Sequence, residues 1–473
     1  MTFFRKKRTA LAFLVLFGCL SFVSFENLST ISLPISPVGP MGPVPILSIQ
    51  VSGSPQIVFD HSRDGQQGNS VPDAQVTAWK DKNGTVSLIV SNPEEYRMTG
   101  PDLHSVKMSS AEIYSSAASA NQIPQNDFNY AHWFNAPYTL DGVDIYTLSH
   151  SEWYACLLVG DCWVDPTNIP GAYSGIYFLY SWVTTLNSFV SKDGGATFTA
   201  NSVSGNHVVL NLGYEWTNSL PLKDLSYHQY FDYTGVTANT RIIREGSYFY
   251  ALGAATYRDT SDVLSGNVTK QGTVIFRTDD ITNPNGWQIW ISGSTYGPIS
   301  GSKFGVFNPQ DANGNTLNLA FGQIIFDMKS NQYIFIMAPF GTGNQNQSSY
   351  YVTTPSLANP QWSSAVEILG SANFMNVPPN SGPYSGSYNN PSAPYYHCNV
   401  GFSDSSYLSV LDESSPGFNF EFANGTPEIY YVFNPALCGD PSQADRDIYR
   451  VSLKINYNYC PGGTTGPDGV CPQ

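Results

Sequence analysis

Between about Leu47 and Asn456 almost no apolar residues recur at helical spacing; short apolar runs alternate with Gly, Asn, Asp and Pro. The clearest runs are VSLIV (Val86 to Val90), VDIYTLSH (Val143 to His150), GIYFLYSWV (Gly175 to Val183), YFYALGAATY (Tyr248 to Tyr257), YIFIMAPF (Tyr333 to Phe340) and EIYYVF (Glu428 to Phe433). Branched and aromatic side chains dominate them, as suits a pleated sheet. The pattern predicts an all-β chain.

The runs also repeat. A strand, a Ser/Thr-rich turn and an aromatic residue recur in SFVSKDGGATFT (Ser188 to Thr199), IFRTDDITNPNGWQIW (Ile275 to Trp290) and YVTTPSLANPQWS (Tyr351 to Ser363). Their starts are 87 and 76 residues apart (188 to 275, 275 to 351), longer than compact repeats. Each reads as the outer hairpin of a four-stranded blade, and such blades bury their faces against one another around a channel. Residues 47–456 are read as one β-propeller; five blades fit best, and six also fit.

The first 25 residues carry Arg5, Lys6, Lys7 and Arg8 ahead of an apolar run, which reads as a signal peptide or an uncleaved amino-terminal anchor. Residues 26–46 are a Pro-rich, extended lead-in, and residues 457–473 a Gly/Pro-rich tail. The expectation is a secreted or cell-surface protein, monomeric, touching membrane only through such an anchor. Net charge is −15, or −19 without the four basic residues of the leader, so phosphate backbones are repelled and nucleic acid is excluded as a partner. A glycan or oligosaccharide fits better. Apart from Cys19 there are six cysteines, an even number that suits disulfides in an exported chain. Chain order favours 156–162, 398–438 and 460–471, the last closing a loop in the tail, among fifteen connectivities. Sequons stand at Asn27, Asn83, Asn267, Asn346 and Asn424.

The most specific local motif is Ser191-Lys192-Asp193-Gly194-Gly195-Ala196-Thr197-Phe198. It matches the S-x-D-x-G-x-T-W/F Asp box of sialidases and related propellers, whose Asp caps a tight hairpin. That role is structural, and Asp193 is given no chemistry.

A wider resemblance covers about residues 70 to 455. Pro72 to Leu103, Tyr138 to Trp153 with Cys156, Asp161, Cys162 and Trp163, and the last-blade pieces Leu408 to Asp412, Phe418 to Phe420, Pro427 to Tyr431 and Asp445 to Arg450 resemble a family of exported bacterial proteins with a sialidase-like or five-bladed-glycosidase-like propeller. The resemblance implies a carbohydrate-active protein. Ala74-Gln75-Val76-Thr77 departs from the family's Ala-Pro-Ala-Arg, removing an arginine, and Arg97, Arg241, Arg277 and Arg446 form no sialidase-like series.

Glycoside hydrolysis needs two carboxyl groups facing one sugar, one giving a proton to the leaving oxygen and one acting as base or nucleophile. Asp73, at the start of an inner strand, is read as base or nucleophile; Glu152, two residues from His150 and so on the same strand face, is read as the acid. His150 would bind a sugar hydroxyl or orient Glu152. Arg97, Asn239 and Arg241 would supply further contacts, although Arg97 could equally pair with Glu94 or Glu95. Arg446 reads as part of a closing-strand salt network, and Asp412 as a turn pin. No helix-spaced metal motif, calcium loop or nucleotide loop is present, so no cofactor is expected; a structural calcium on the propeller axis is compatible with the sequence and specified by nothing in it. The expected function is glycoside hydrolysis by this carboxylate pair, the alternative a non-catalytic propeller that binds glycan or protein at the cell surface.

Overall fold

The computed structural model describes residues 45–64, 72–91, 94–115, 131–154, 182–212, 234–237, 239–257, 270–299, 303–317, 319–339, 348–371, 404–434 and 446–459. The leader, the lead-in up to residue 44, all seven cysteines with their three pairings, the tail from residue 460, the Gly175 run up to residue 181 and the sequons at Asn27, Asn267 and Asn346 lie outside the described residues. No described helix is long and apolar enough to cross a membrane.

The described residues are all-β apart from one helical turn, His61–Asp64, and a 3-10 turn, Pro284–Gly286. Strand β1 (Ile46–Phe59) is followed by five successive antiparallel meanders. The first holds β2 (Thr77–Lys80), β3 (Val86–Val90), β4 (Glu94–Gly100) and β5 (Lys107–Ser115), paired in that order. The second holds β6 (Ala131–Thr139), β7 (Ile145–Tyr154) and β8 (Trp182–Ser191), with β9 (Thr199–Ala200) and β10 (Val208–Leu210) against β8. In the third, β11 (Thr234–Thr237) and β12 (Ile243–Glu245) both pair with β13 (Tyr248–Tyr257), which continues to β14 (Lys270–Thr278), β15 (Gln288–Ser292) and β16 (Thr295–Pro298). The fourth is β17 (Leu319–Asp327), β18 (Gln332–Pro339), β19 (Tyr350–Thr354) and β20 (Val366–Glu367). The fifth contains β21 (Asp404–Leu411), β23 (Glu428–Asn434) and β24 (Asp447–Asn458), while β22 (Phe422–Ala423) crosses to pair in parallel with β17.

The two ends of the chain complete the fifth meander together: β1 lies antiparallel on β24, from Ile46 opposite Asn458 to Phe59 opposite Ile448. A short parallel link between β11 and β8 joins the second and third meanders into one hydrogen-bonded sheet.

Every residue of β3 and β6 is buried, because a meander packed between two others has no solvent face. Five apolar clusters occupy the junctions. Trp79, Ile89, Phe134 and Phe189 join the first meander to the second; Leu148, Leu186, Val274 and Phe276 the second to the third; Leu252, Ile275, Ile324 and Phe335 the third to the fourth. Ile334, Ile336, Val410 and Ile429 join the fourth to the fifth, and Phe420, Val432, Val86 and Leu88 join the fifth back to the first. Each large apolar side chain so buried contributes about 1.5–3 kcal/mol.

A single segment between β21 and β22 touches all the other meanders. The Phe418 carbonyl accepts from Lys80 N–H at 2.7 Å, and the Asn419 amide exchanges two hydrogen bonds with the Thr139 backbone. The Phe420 carbonyl accepts from the Arg241 guanidinium, and the Glu421 carbonyl from Phe326 N–H at 2.9 Å. Phe420 adopts φ 53°, a left-handed conformation costly for a side-chain-bearing residue and held here by these contacts.

Candidate active site

Asp73 lies in the extended stretch before β2, its N–H donating to the Ser91 carbonyl at 2.7 Å. Its Oδ1 accepts from the Tyr407 hydroxyl at 3.0 Å and from the Arg446 guanidinium. Both donors come from the fifth meander. Tyr407 sits at φ 57° in a bulge of β21 between Ser406 and Ser409, and a bulge of this kind re-aims a side chain. Arg446 stands immediately before β24 and also reaches the Pro72 carbonyl; burial lowers its guanidinium from the ordinary range. Asp73 and Arg446 keep 25% and 24% of their side chains exposed, so the pair is within reach of a ligand.

Glu152 and His150 project from one face of β7, as the two-residue period requires. His150 Nε2 is 3.3 Å from Glu152 Oε1, within ion-pair range for a protonated ring, yet without the alignment of a hydrogen bond. The His150 ring stacks on Trp133 at 5.1 Å between centroids and 29° between planes. Across the ladder, Ala131 opposes Glu152 and Trp133 opposes His150. Ala74, the residue after Asp73, packs on both Ala131 and Trp133. The backbone beside one carboxylate thus rests on the residues facing the other.

The opposite face of β7 is polar and closed. His132 Nδ1 bonds the Ser151 hydroxyl at 2.7 Å and Ser151 lies 3.2 Å from the Ser149 hydroxyl, while a second set on the paired strand β8 links Thr185 to Asn187 and Asn187 to His207. Burial, aided by the neighbouring histidines His207 and His150, lowers His132 to about 3, so the ring stays neutral. The network locks the rotation of β7 and with it the direction of His150 and Glu152. The alternation Ser149-His150-Ser151-Glu152 is its sequence signal, read above only for its His/Glu half.

The remaining candidates lie elsewhere. Arg97 donates to the Gly194 carbonyl at 3.1 Å, on the Asp193 turn rather than beside Asp73. Arg241 is spent within the fold: its terminal nitrogens hold the Phe420 and Val410 carbonyls, and its N–H donates to Gln323 Oε1. Burial brings its guanidinium down to about 9, opposed by the charge of Glu421. Asn239 is buried and donates to the Thr240 carbonyl at 3.4 Å. Asp193 accepts from Ser191, Ala196 and Thr197; burial pushes its carboxyl up, but these hydrogen bonds outweigh it and bring it to about 2. Asp412 pins the fifth-meander turn, accepting from Ser414, Asn424 and Gly425. Among the described residues no cluster of three or more His, Cys, Asp or Glu side chains is arranged to hold a metal.

No family model and no curated protein matches this chain. Among solved structures it is similar to the endo-arabinase of Bacteroides thetaiotaomicron, with 11% identity over 85% of this chain and 98% of the other and a TM-score of 0.39. It is similar to the GH62 α-L-arabinofuranosidase catalytic domain of Coprinopsis cinerea, with 10% identity over 87% and 98% and a TM-score of 0.40. The exo-β-1,3-galactanase of Phanerochaete chrysosporium matches with 12% identity over 86% of this chain and 64% of that one, at a TM-score of 0.39.

Proposed function

We propose that the chain is an exported five-bladed β-propeller that hydrolyses glycosidic bonds, with Asp73 as base or nucleophile and Glu152 as acid. The five junction clusters, the last returning to the first meander, support the propeller. The observation that carries the chemistry is the pairing of one Asp73 oxygen with both Arg446 and Tyr407. An arginine and a phenolic hydroxyl on one oxygen favour the ionised carboxylate, which a base or nucleophile requires.

Glu152, with only 5% of its side chain exposed and His150 at 3.3 Å, is the carboxyl that would donate to a leaving oxygen. His150, fixed by its stack on Trp133, orients Glu152 or meets a sugar hydroxyl. In this scheme the Glu152 proton passes to the glycosidic oxygen as the C–O bond breaks. Asp73 either takes a proton from the attacking water or bonds the anomeric carbon itself. Arg97 and Arg241, whose head groups hold backbone carbonyls, take no part.

The same burial of Glu152 favours a second reading, a propeller that binds glycans without cleaving them. The test is reducing-end release and binding on a panel of polysaccharides and aryl glycosides, including arabinan and β-1,3-galactan, by the wild type and the Glu152→Gln and Asp73→Asn variants. Release lost in both variants supports the hydrolase; binding without release in all three supports recognition.

A further inference from the structure

Glu95, in β4, is a fully buried carboxyl that the proposed chemistry does not use. Its Oε1 accepts from the Ser91 hydroxyl at 2.8 Å and from the Phe134 N–H at 2.8 Å. Ser91 follows β3 in the first meander, and Phe134 lies in β6 of the second. One oxygen atom thus ties the two meanders that carry Asp73 and Glu152. Burial pushes the Glu95 carboxyl well above the ordinary carboxylate range, against these hydrogen bonds, so the group acts as a neutral acceptor rather than as a charge.

Each arm of the link leads to a site residue. The Ser91 carbonyl accepts from the Asp73 N–H at 2.7 Å, so the residue that meets Glu95 through its side chain holds Asp73 through its backbone. Phe134 follows Trp133, whose ring stacks on His150 and which opposes His150 across the β6–β7 ladder, one pair away from Ser151 and two from Glu152.

Both ends of the link fall where the ladders slip. β4 shifts register against β5 between Glu95 and Tyr96, and β6 against β7 between Phe134 and Ala136. A bulge disrupts the ladder locally and re-aims a side chain. Here the carboxyl at one irregularity takes the N–H at the other. Tyr114, opposite Glu95 across the β4–β5 ladder, packs its ring on His132 and Phe134 beside the link.

We propose that Glu95 is a positioning residue that fixes the separation of the Asp73 and Glu152 carboxyl groups, holding Asp73 through Ser91 and the Trp133–His150 stack through Phe134. Its effect on rate rests on the hydrolase reading, whereas its effect on geometry does not.

The test compares wild type with Glu95→Gln, Glu95→Ala and Ser91→Ala, in crystal structures and in turnover. Glu95→Gln keeps a neutral oxygen acceptor, so the carboxyl separation and kcat should stay at wild-type values. Glu95→Ala should change the separation and lower kcat by about 10- to 100-fold with KM little altered, since a misplacement of about 1 Å is enough for such a loss. Ser91→Ala, which frees only the Asp73 arm, should do both to a smaller extent, and it decides the matter if Glu95→Ala does not fold. A mere brace between the meanders would lower Tm in these two variants and leave the separation and kcat of the folded protein unchanged. That result, or Glu95→Gln as impaired as Glu95→Ala, would overturn the proposal. A wild type that releases nothing from any glycan would instead refute the hydrolase, with the carboxyl separation in the variants still deciding the role of Glu95.

Discussion

Arg446, in front of the last strand, closes its guanidinium on the carboxylate of Asp73, in front of the first meander, across 373 residues of sequence. The contact exists because β1 and β24 complete the fifth meander together and set it against the first. It ties the proposed chemistry to the closure of the fold.

Replacing Arg446 by Met therefore separates the two roles. Asp73 loses its charged partner but keeps the Tyr407 hydroxyl, so the acid limb of the kcat/KM profile should move to higher pH. Tyr407→Phe should move it in the same direction by less. A profile unchanged in both variants would show that the pair only braces the fold.

Glu421 predicts how stability depends on pH. Its Oε2 accepts from Arg244 N–H at 2.8 Å and its Oε1 from the Tyr138 hydroxyl at 3.3 Å, and burial raises the carboxyl from 4.5 to about 7. Between these values the unfolded chain has released the proton and the folded chain still holds it. The contribution of this group is then complete below about pH 4.5 and falls as pH rises to about 7. Tm of the wild type should decline across that window relative to Glu421→Gln; parallel profiles would contradict the assignment.

Much of the fold was legible because a β-rich repeat leaves a strong local signature. The runs 86–90 and 248–257 are β3 and β13 residue for residue, and 428–433 lies within β23. The hub was not legible, because Phe418 to Glu421 resemble any turn until long-range closure brings Lys80, Thr139 and Arg241 to them. The candidate site divides in the same way. His150 and Glu152 share a strand, so their spacing reveals a shared face. The partners of Asp73 come from the other end of the chain, and no periodicity announces them; Arg446 was visible only as a member of a salt network. For Arg97 and Arg241, charge alone does not say whether a guanidinium meets a ligand or a backbone carbonyl, and in the fold each holds a carbonyl.

The Asp193 turn gives a graded pair of substitutions. Gly194 (φ 73°) and Gly195 (φ 87°) are both left-handed, but a Cβ on Gly195 would collide with the Trp79 ring, whereas one on Gly194 would meet open space. Gly194→Ala should cost about 1–2 kcal/mol, the backbone penalty alone. Gly195→Ala should cost more, because it adds overpacking of about 1–3 kcal/mol at a buried tryptophan. Denaturant unfolding gives both values, and equal losses would mean that Trp79 yields freely.

The central claim is the proton donor, and the most direct measurement is turnover by Glu152→Gln on two substrates. With a polysaccharide, whose leaving oxygen needs a proton, release should fall by about 10²- to 10⁴-fold while binding persists. With an aryl glycoside bearing a good leaving group, the loss should be far smaller, since that group departs without protonation. Polysaccharide hydrolysis at the wild-type rate by Glu152→Gln would contradict the account.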